Sequence, residues 1–287
     1  MAIWHRGRLT FFSRISKHVE LVVRWARGRI SGRVFSFSEP LRKRAGKCEQ
    51  AIECAYPMKW RSLEESAPAS DLRSLREIFA ERKESIAKYV PPETQAIHAR
   101  AIAELKRQQL ATNILPVGAK APEFQFQDHD GKPVSSSARL AHARLVICFI
   151  RGRWCPFCVA QMEAMNLILP EVEDSGATLV AISPQTVKQS FFMRDQHKLR
   201  FSLLSDAGNH LARQFGLTFP VPEEQKTIYQ RSFVNLPLVN GDSSWELPIP
   251  ATYVVDTAGR VLFASANEDY TERPEPAAIV HFLQTLP

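Results

Sequence analysis

The segment that most constrains the fold is a junction between an apolar run and two closely spaced cysteines. Residues 145–150 are continuously apolar, and they lead through residues 151–154 to Cys155 and Cys158. A short apolar run rich in β-branched and aromatic residues predicts a strand that is covered on both faces. Residues 159–169 have the pattern of a helix. The cysteines are therefore predicted to lie where a buried strand turns into a helix.

Cysteines in this position are suited to thiol redox chemistry. A cysteine in the first turn of a helix is close to unpaired backbone N–H groups and to the positive end of the helix dipole, and both favour the thiolate. Arg151 and Arg153 add positive charge nearby, and Pro156 fits a helix start because it has no N–H to leave unpaired. A spacing of three residues puts both sulfurs on one side of the first turn, so Cys155 and Cys158 can close a redox-active disulfide.

The pair has two other interpretations, which are half of a zinc site and inert packing. A zinc site requires two further ligands, whereas no second C-x-x-C is present and the nearest downstream histidines are His197 and His210. We therefore predict redox chemistry and no metal. Trp154 either shields the pair and offers a docking surface or is ordinary half-buried packing. Cys148, inside the apolar run, is predicted to be a small buried hydrophobic residue.

The composition is that of a soluble globular chain, since 45% of the 287 residues are hydrophobic and 23% are charged. No stretch approaches the length of apolar sequence that a membrane-spanning helix requires. The first residues are basic but no apolar segment follows them, so a secretory signal is not expected. Five cysteines are too few for a disulfide scaffold and fit a reducing compartment. We predict a cytoplasmic protein.

The excess of positive charge lies at the N-terminal end. Residues 1–63 contain 14 Lys and Arg but 4 Asp and Glu, so the rest of the chain holds 23 basic and 26 acidic side chains. Residues 1–67 are predicted to be a basic extension that is either poorly ordered or a short amphipathic helix. Contact of this arm with nucleic acid or a membrane is the less favoured interpretation, as is a metal site at Cys48 and Cys54.

Residues 68–113 are predicted to form a helical hairpin. Apolar residues recur at three- and four-residue steps over residues 72–89, and a second helical stretch covers residues 93–110. A Pro-Pro pair separates the two helices. The hairpin is expected to pack on the catalytic domain or to form a homodimer with a second copy, and His98 is expected on its surface.

Residues 114–287 alternate between strand and helix patterns. The predicted strands are 121–128, 145–150, 178–183, 201–204, 252–256 and 261–266, and the predicted helices are 159–169, 187–197, 209–215, 223–231 and 275–286. Residues 133–140 are interpreted as a connection and residues 217–250 as loop-rich. This order predicts a thioredoxin-like α/β domain, in which helices flank a central mixed sheet.

Several sequence blocks carry a resemblance to a known family. From residue 115 to the C-terminus the chain resembles the AhpC/TSA group of peroxiredoxin-like proteins, in the thioredoxin superfamily. The blocks are Pro122-Glu123-Phe124, Arg151-Gly152-x-Trp154-Cys155-Pro156-Phe157-Cys158, Ala181-Ile182-Ser183-Pro184-Gln185-Thr186, Leu204-Ser205-Asp206-x-Gly208-Asn209, Trp245-Glu246-Leu247-Pro248 and Pro250-Ala251-Thr252-Tyr253-Val254-Val255-Asp256.

The resemblance implies a thiol-dependent peroxidase that reduces hydrogen peroxide or organic hydroperoxides through a sulfenic acid and then a disulfide. Electrons would come from thioredoxin, a glutaredoxin or a small thiol. No Gly-rich dinucleotide fingerprint is present in the sequence, so no bound nicotinamide or flavin cofactor is expected.

The chain departs from the family's pattern P-x-x-x-T-x-x-C. When Cys158 is aligned with the peroxide-attacking cysteine, Cys155 replaces the threonine and Arg151 replaces the proline. The family's arginine before the late strand is also missing. Pro250 stands near that position and resembles the cis-proline that faces the cysteine pair in thioredoxins.

Two assignments of the cysteines therefore stay open. In a thioredoxin-type site Cys155 is the exposed nucleophile, whereas in a peroxiredoxin-type site Cys158 attacks the peroxide and Cys155 resolves the product. Arg151 or Arg153 would stabilise the thiolate and the departing oxygen. The resemblance also implies three residues that line the site: Trp154, Pro250 and Thr252.

A thiol-dependent peroxidase is the predicted function. The alternative is a thiol–disulfide oxidoreductase, similar to thioredoxin or TlpA-like proteins, that acts on protein disulfides. A non-catalytic redox sensor or binding module is the third interpretation.

Overall fold

The computed structural model describes residues 73–287. The predictions for residues 1–67, including the pair Cys48 and Cys54, lie outside the described residues. Over the described range, no helix is long and apolar enough to cross a membrane.

Two helices open the described range, α1 over Leu75–Tyr89 and α2 over Pro92–Arg107. Helix α1 begins later than its apolar pattern predicts because Ser74 and Glu77 form a capping box. The Glu77 N–H donates to the Ser74 hydroxyl, and the Ser74 N–H donates to the Glu77 carboxylate over 2.8 Å. Each contact satisfies a backbone donor that the first helical turn leaves unpaired.

Alternating strands and helices follow. They are β1 Gln125–Gln127, β2 Pro133–Ser135, α3 Ser136–Leu140, β3 Arg144–Phe149, α4 Pro156–Leu167, α5 Leu169–Asp174, β4 Ala177–Ser183, α6 Val187–His197, β5 Ser202–Ser205, α7 His210–Gln214, β6 Thr218–Pro220, α8 Glu223–Arg231, α9 Leu236–Asn240, β7 Glu246–Pro248, β8 Ala251–Val255, β9 Val261–Ala266 and α10 Pro276–Gln284.

Five strands form the main sheet, in the order β5-β4-β3-β8-β9. Strand β3 runs parallel to β4, and β4 runs parallel to β5, whereas β8 is antiparallel to both β3 and β9. A mixed sheet of this order, with helices packed against it, confirms the predicted thioredoxin-like α/β fold. Because β8 is antiparallel, its amino end lies beside the carboxyl end of β3, where the cysteine motif begins.

Strand β3 is apolar from Leu145 onward because both of its faces are covered. Alternate residues point into two separate hydrophobic cores, which explains why its sequence shows no polar face. One core contains Val146, Cys148 and Ile150, and the other contains Leu145, Ile147 and Phe149.

Two regions contain more regular structure than the sequence predicts. Residues 133–140, interpreted as a connection, form β2 and α3. The loop-rich residues 217–250 contain α9 and a small antiparallel sheet of β6 and β7. Each missed strand is only three residues long, so its apolar and polar positions give no measurable period. Prolines end β6 and β7, which is tolerated in a short two-stranded sheet at its edges.

We call residues 73–113 the leader. Its two helices, α1 and α2, pack on different parts of the thioredoxin-like domain. Helix α1 packs against α4, where the Phe79 and Phe157 rings meet edge to face with centroids 5.0 Å apart. Helix α2 packs against α8, and Arg100 pairs with Glu224 over 2.7 Å. The predicted packing on the catalytic domain is thus observed within one chain, and the homodimer stays a prediction.

The expectation that His98 lies on the surface is wrong. It is half-buried between α2 and α8, where its Nδ1 is 3.1 Å from the Gln225 amide nitrogen and its ring centroid is 6.1 Å from that of Tyr229. Burial and, to a smaller extent, the positive charge of Arg151 together lower the pKa of His98 to about 4. His98 is therefore neutral at pH 7.

The depressed pKa of His98 predicts a specific loss of stability in acid. Between pH 6.5 and about 4, His98 binds a proton in the unfolded chain but stays neutral in the folded chain. The free energy of unfolding therefore falls as the pH falls through this range. His98→Gln should remove about 1–2 kcal/mol of this loss, after allowance for partial exposure. Urea denaturation of both proteins at pH 7 and at pH 4.5 measures the difference. Parallel losses of stability in the two proteins would contradict the assignment.

Candidate active site

The two cysteines lie at the start of α4. Cys155 is the N-cap residue, and Cys158 is the third residue of the helix. Both are free thiols, and the exposed fraction is 1% for Cys155 and 0% for Cys158. The exposed Cys155 of the thioredoxin-type assignment is therefore wrong, because this residue belongs to the same apolar core as Ile150 and Phe157.

The loop before the cysteines is fixed by a glycine and a buried amide. Gly152 has a φ of 136°, and a Cβ at this position would lie 2.9 Å from Trp154 Nε1. Gln185, which follows β4, is fully buried and its Oε1 accepts a hydrogen bond from the Arg153 N–H over 2.9 Å. These two contacts set the backbone turn that leads into Cys155.

Arg151 directs its guanidinium into the interior of the site, and only 5% of the residue is exposed. Its Cζ lies 4.7 Å from the Trp154 ring centroid and 4.2 Å from that of Tyr270, which makes a cation–π contact with each ring. Its Nη2 donates to the Tyr229 hydroxyl over 3.3 Å. Within the part of the chain that the structure describes, the groups that interact with this charge are aromatic side chains and thiols.

Arg153 has a different environment from the one predicted. Its side chain is exposed, its Nε donates to Gln189 Oε1 over 2.6 Å, and its Cζ lies 5.7 Å from the Phe192 ring centroid. Both partners belong to α6. Arg151 or Arg153 was predicted to stabilise the thiolate, and of the two it is Arg151 whose side chain lies in the interior of the site, whereas that of Arg153 lies on α6.

A third arginine, Arg273, reaches Cys158 from the loop between β9 and α10. Its Nη2 donates to Cys158 Sγ over 3.6 Å. Its Nη1 donates to Gln161 Oε1, and its Nε donates to the Tyr270 carbonyl over 2.8 Å. Because all three guanidinium nitrogens are engaged, the orientation of the charge toward the sulfur is fixed.

The two thiols differ in acidity. Burial alone would raise the pKa of Cys158, but the hydrogen bond from the Cys155 thiol and the charges of Arg273 and Arg151 hold it well below its ordinary value. Burial and the hydrogen bond to Cys158 raise the pKa of Cys155 well above its ordinary value. This arrangement favours the thiolate at Cys158 over the thiolate at Cys155.

Thr252 and Cys148 lie behind the pair of Cys155 and Cys158. They are partners across β3 and β8, with 4.0 Å between Cys148 Sγ and Thr252 Oγ1. Gln161 Nε2 donates to Thr252 Oγ1 over 3.4 Å, so Thr252 is linked to Arg273 through Gln161. Cys148 is fully buried, as predicted, and burial raises its pKa to about 12. Cys148 is therefore a protonated, structural thiol.

Pro250 does not have the predicted cis bond. The peptide bonds of residues 73–287 are all trans. Pro250 is buried immediately before Ala251, which pairs with Phe149 at the end of β3. It therefore lies at the sheet edge that carries the cysteine motif, but the extended chain passes through it directly from β7 into β8.

Trp154 covers one side of the buried charge. Its ring contacts the guanidinium of Arg151 and lies at a steep angle to the Tyr229 ring, with centroids 5.1 Å apart. The residue is half-buried and packs against both hydrophobic cores. The shielding role is compatible with this geometry, and the docking role stays a prediction.

Sequence reasoning missed four residues of the site: Gln161, Tyr229, Tyr270 and Arg273. Arg273 is 115 positions from Cys158 in the chain, so no local pattern joins them. The resemblance directed attention to an arginine before the late strand, whereas this arginine follows β9. The one available signal was a single arginine in an acidic segment, between Glu272 and Glu275.

The chain is similar to plant peroxiredoxin Q proteins. It is 26% identical over 167 residues to a putative chloroplastic peroxiredoxin Q of Oryza sativa subsp. indica, covering 58% of this chain and 66% of the relative. It is 27% identical over 156 residues to chloroplastic peroxiredoxin Q of Sedum lineare, covering 54% of this chain and 72% of the relative. The chain thus spans slightly less than two thirds of the rice protein.

These relatives contradict the prediction of a cytoplasmic protein, since both are named as chloroplastic. The prediction considered only a secretory signal, which requires an apolar segment. Transit peptides are rich in Arg and Ser, are poor in acidic residues and have no such apolar segment. The absence of an apolar segment therefore could not exclude import into an organelle.

Two solved structures are similar to this chain at lower identity. Peroxidoxin BcpB from Mycobacterium tuberculosis is 20% identical with a TM-score of 0.48, and the match covers 60% of this chain and 99% of that one. Peroxiredoxin Q from Xanthomonas campestris is 19% identical with a TM-score of 0.45, and the match covers 56% and 89%.

The range that matches the family model includes both the main sheet and the two cysteines. The model of the AhpC/TSA family matches residues 117–264, which is more than half of the chain. This range begins before β1, includes Cys155 and Cys158 with the strand and helix that position them, and ends within β9. The chain belongs to the AhpC/TSA family.

Proposed function

We propose that this protein is a thiol peroxidase in which Cys158 attacks the peroxide and Cys155 resolves the product. The observation that carries the proposal is the set of donors around one sulfur. The Arg273 guanidinium donates to the Cys158 sulfur over 3.6 Å, and the Cys155 thiol and the positive charge of Arg151 also favour the thiolate of this sulfur. These contacts lower the pKa of Cys158, and the thiolate is the form of cysteine that acts as a nucleophile.

The first step uses the Cys158 thiolate. Its sulfur forms a bond to the terminal oxygen of the peroxide while the O–O bond breaks, which oxidises the sulfur to a sulfenic acid. The leaving oxygen takes up a proton and departs as water or an alcohol. The positive charges of Arg151 and Arg273 are placed to stabilise the negative charge that develops on this oxygen.

The second step uses the Cys155 thiol. Its sulfur forms a bond to Cys158 and displaces the sulfenic oxygen, which leaves as water after the thiol proton is transferred. Cys155 is the N-cap residue of α4 and Cys158 is the third residue of that helix, so disulfide formation needs little backbone movement. An external thiol then reduces the disulfide through a mixed disulfide, which requires one of the two sulfurs to become accessible once the pair is oxidised. Thioredoxin, a glutaredoxin and a small thiol are the proposed donors.

Burial of the pair favours a peroxide over a protein disulfide as the oxidant. Attack on a disulfide requires the three sulfurs to align, so the nucleophile of an oxidoreductase must be accessible to a second protein. Cys155 and Cys158 have exposed fractions of 1% and 0%. A peroxide brings only two oxygen atoms to the sulfur and needs much less space.

The proposal predicts saturable peroxide turnover by the full chain. With thioredoxin, thioredoxin reductase and NADPH, the addition of hydrogen peroxide or an organic hydroperoxide should start NADPH oxidation that depends on the protein. Cys148→Ala should change this rate by less than about twofold, because Cys148 is a structural thiol. Insulin reduction is measured in parallel.

Insulin reduction without peroxide turnover would indicate that the protein is a thiol–disulfide oxidoreductase and not a peroxidase. Oxidation of one equivalent of protein with no turnover would indicate a redox sensor. Either result would contradict the proposal.

A further inference from the structure

We propose that Arg273 is a catalytic residue of this site and that helix α1 holds it in place through Glu275, an inference that rests on the proposed function. Arg273 contacts the sulfur that reacts, and Glu275 is a positioning residue two positions further along the same loop. In this proposal the leader contributes to the chemistry by holding Arg273 beside Cys158.

The position of Arg273 suits the atoms that change during the reaction. Its Nη2 lies 3.6 Å from Cys158 Sγ, and the residue is partly exposed although the sulfur is fully buried. It is thus a charged group in contact with both the sulfur and the exterior. As the S–O bond forms and the O–O bond breaks, the same N–H group can donate to the oxygen that becomes negative.

Arg273 also supplies a charge that the family pattern leads one to expect elsewhere. The arginine before the late strand is missing, and Pro250 stands near its position. Arg273 lies beyond residues 117–264, the range that matches the family. A guanidinium from a different part of the chain therefore occupies the neighbourhood of the reactive sulfur.

The loop that carries Arg273 is tied to the leader at several points. Glu275 accepts hydrogen bonds from the backbone N–H groups of Leu75 and Arg76, each over 2.9 Å. These are the first two N–H groups of α1, which have no partner within the helix and lie at the positive end of its dipole. Glu272 pairs with Lys83 of α1 over 3.1 Å.

A further contact comes from the residues that follow α2. The Ala111 N–H donates to the Glu268 carboxylate over 2.8 Å. Glu268, Glu272 and Glu275 thus connect the loop to the leader on both sides of Tyr270, whose carbonyl accepts from Arg273. Weakening the contact of Glu275 should let Arg273 move away from Cys158.

The first experiment measures the pKa of Cys158 without peroxide, from the ultraviolet absorbance of the thiolate across a pH titration. Arg273→Met should raise this pKa by about 1–3 units, since an opposite charge within contact distance is lost. In single-turnover experiments its reaction with hydrogen peroxide should slow by about 100- to 1,000-fold. Arg273→Lys should retain part of both effects. Arg260→Met, which removes an exposed arginine in the β8–β9 turn, is the matched control.

The second experiment tests the positioning role. Glu275→Ala should raise the pKa of Cys158 in the same direction and slow the peroxide reaction by about 3- to 10-fold, because the charge is displaced and not removed. Glu275→Gln, which keeps an acceptor oxygen, should lie between Glu275→Ala and the parent. Glu84→Gln, on the exposed face of α1, is the control.

Folded Arg273→Met and Arg273→Lys proteins with the parent's pKa and peroxide rate would overturn the role of Arg273. A Glu275→Ala protein with a lower melting temperature but an unchanged Cys158 pKa would overturn the positioning role. If the parent shows no peroxide turnover while Arg273→Met shifts the pKa, the proposed function fails and the pairing of Arg273 with Cys158 is supported.

Discussion

Replacing Cys158 by serine should remove the reaction with peroxide, whereas replacing Cys155 by serine should preserve a single round of it. Cys158→Ser loses the nucleophile, and the expected fall in rate is at least about 1,000-fold. In Cys155→Ser the serine hydroxyl can still donate to the Cys158 thiolate, so the first step should slow by no more than about tenfold. Without a resolving thiol the sulfenic acid should accumulate and thioredoxin-coupled turnover should stop.

Stopped-flow measurement with one equivalent of hydrogen peroxide gives the first rate, and a sulfenic-acid trap followed by mass spectrometry gives the oxidised residue. The reverse pattern, with reactivity retained in Cys158→Ser and lost in Cys155→Ser, would restore the thioredoxin-type assignment. Reactivity in both single variants would mean that the pair is not the site of oxidation.

Replacing Arg151 by methionine should separate reactivity from stability. The guanidinium is buried between Trp154 and Tyr270 with no carboxylate partner among residues 73–287, so its desolvation offsets much of what its cation–π contacts contribute. Methionine can fill similar space between the rings. We therefore expect the free energy of unfolding to stay within about 1 kcal/mol of the parent. The pKa of Cys158 should rise, and the peroxide reaction at pH 7 should slow by about 10- to 100-fold.

Arg153→Met is the matched control for this experiment, since Arg153 lies in the same motif but contacts Gln189 and Phe192 of α6. Its peroxide rate should stay within about twofold of the parent. Urea denaturation and single-turnover kinetics on both variants give the comparison. A large loss of stability in Arg151→Met, with a proportionate loss of activity, would mean that Arg151 serves the fold rather than the thiolate.

The elements that position the cysteines could be predicted from the sequence because their signals are local. Strand β3 is apolar on both faces, and it is followed by a helix whose first turn contains Pro156. The helix predicted at residues 187–197 coincides with α6, and the one at 223–231 coincides with α8. Periodicity and helix-start signals depend only on neighbours along the chain, which a sequence displays directly.

The electrostatics of the site could not be predicted in the same way. Whether Arg151 is buried or solvated depends on Trp154, Tyr229 and Tyr270, which belong to separate parts of the chain. The contact of Arg273 with Cys158 joins residues 115 positions apart. Tertiary packing decides these contacts, and no local pattern encodes them.

The resemblance to thioredoxins misled at two positions for a related reason. It implied a cis bond at Pro250 and an exposed Cys155, and the structure has neither. Both properties depend on how the surrounding chain packs. A four-residue motif does not determine that packing, although it does determine the spacing of the sulfurs.

The ionisation state of the two cysteines is the most direct test, and it can be measured by NMR. In protein labelled with ¹³C at cysteine Cβ, the shift of each carbon reports thiol or thiolate, and the two single serine variants assign the signals. The proposed chemistry requires Cys158 to be a thiolate at pH 7. It requires Cys155 to remain a thiol even when the pH is well above the ordinary pKa of a cysteine. A Cys155 signal that titrates first, with Cys158 protonated at pH 7, would contradict it.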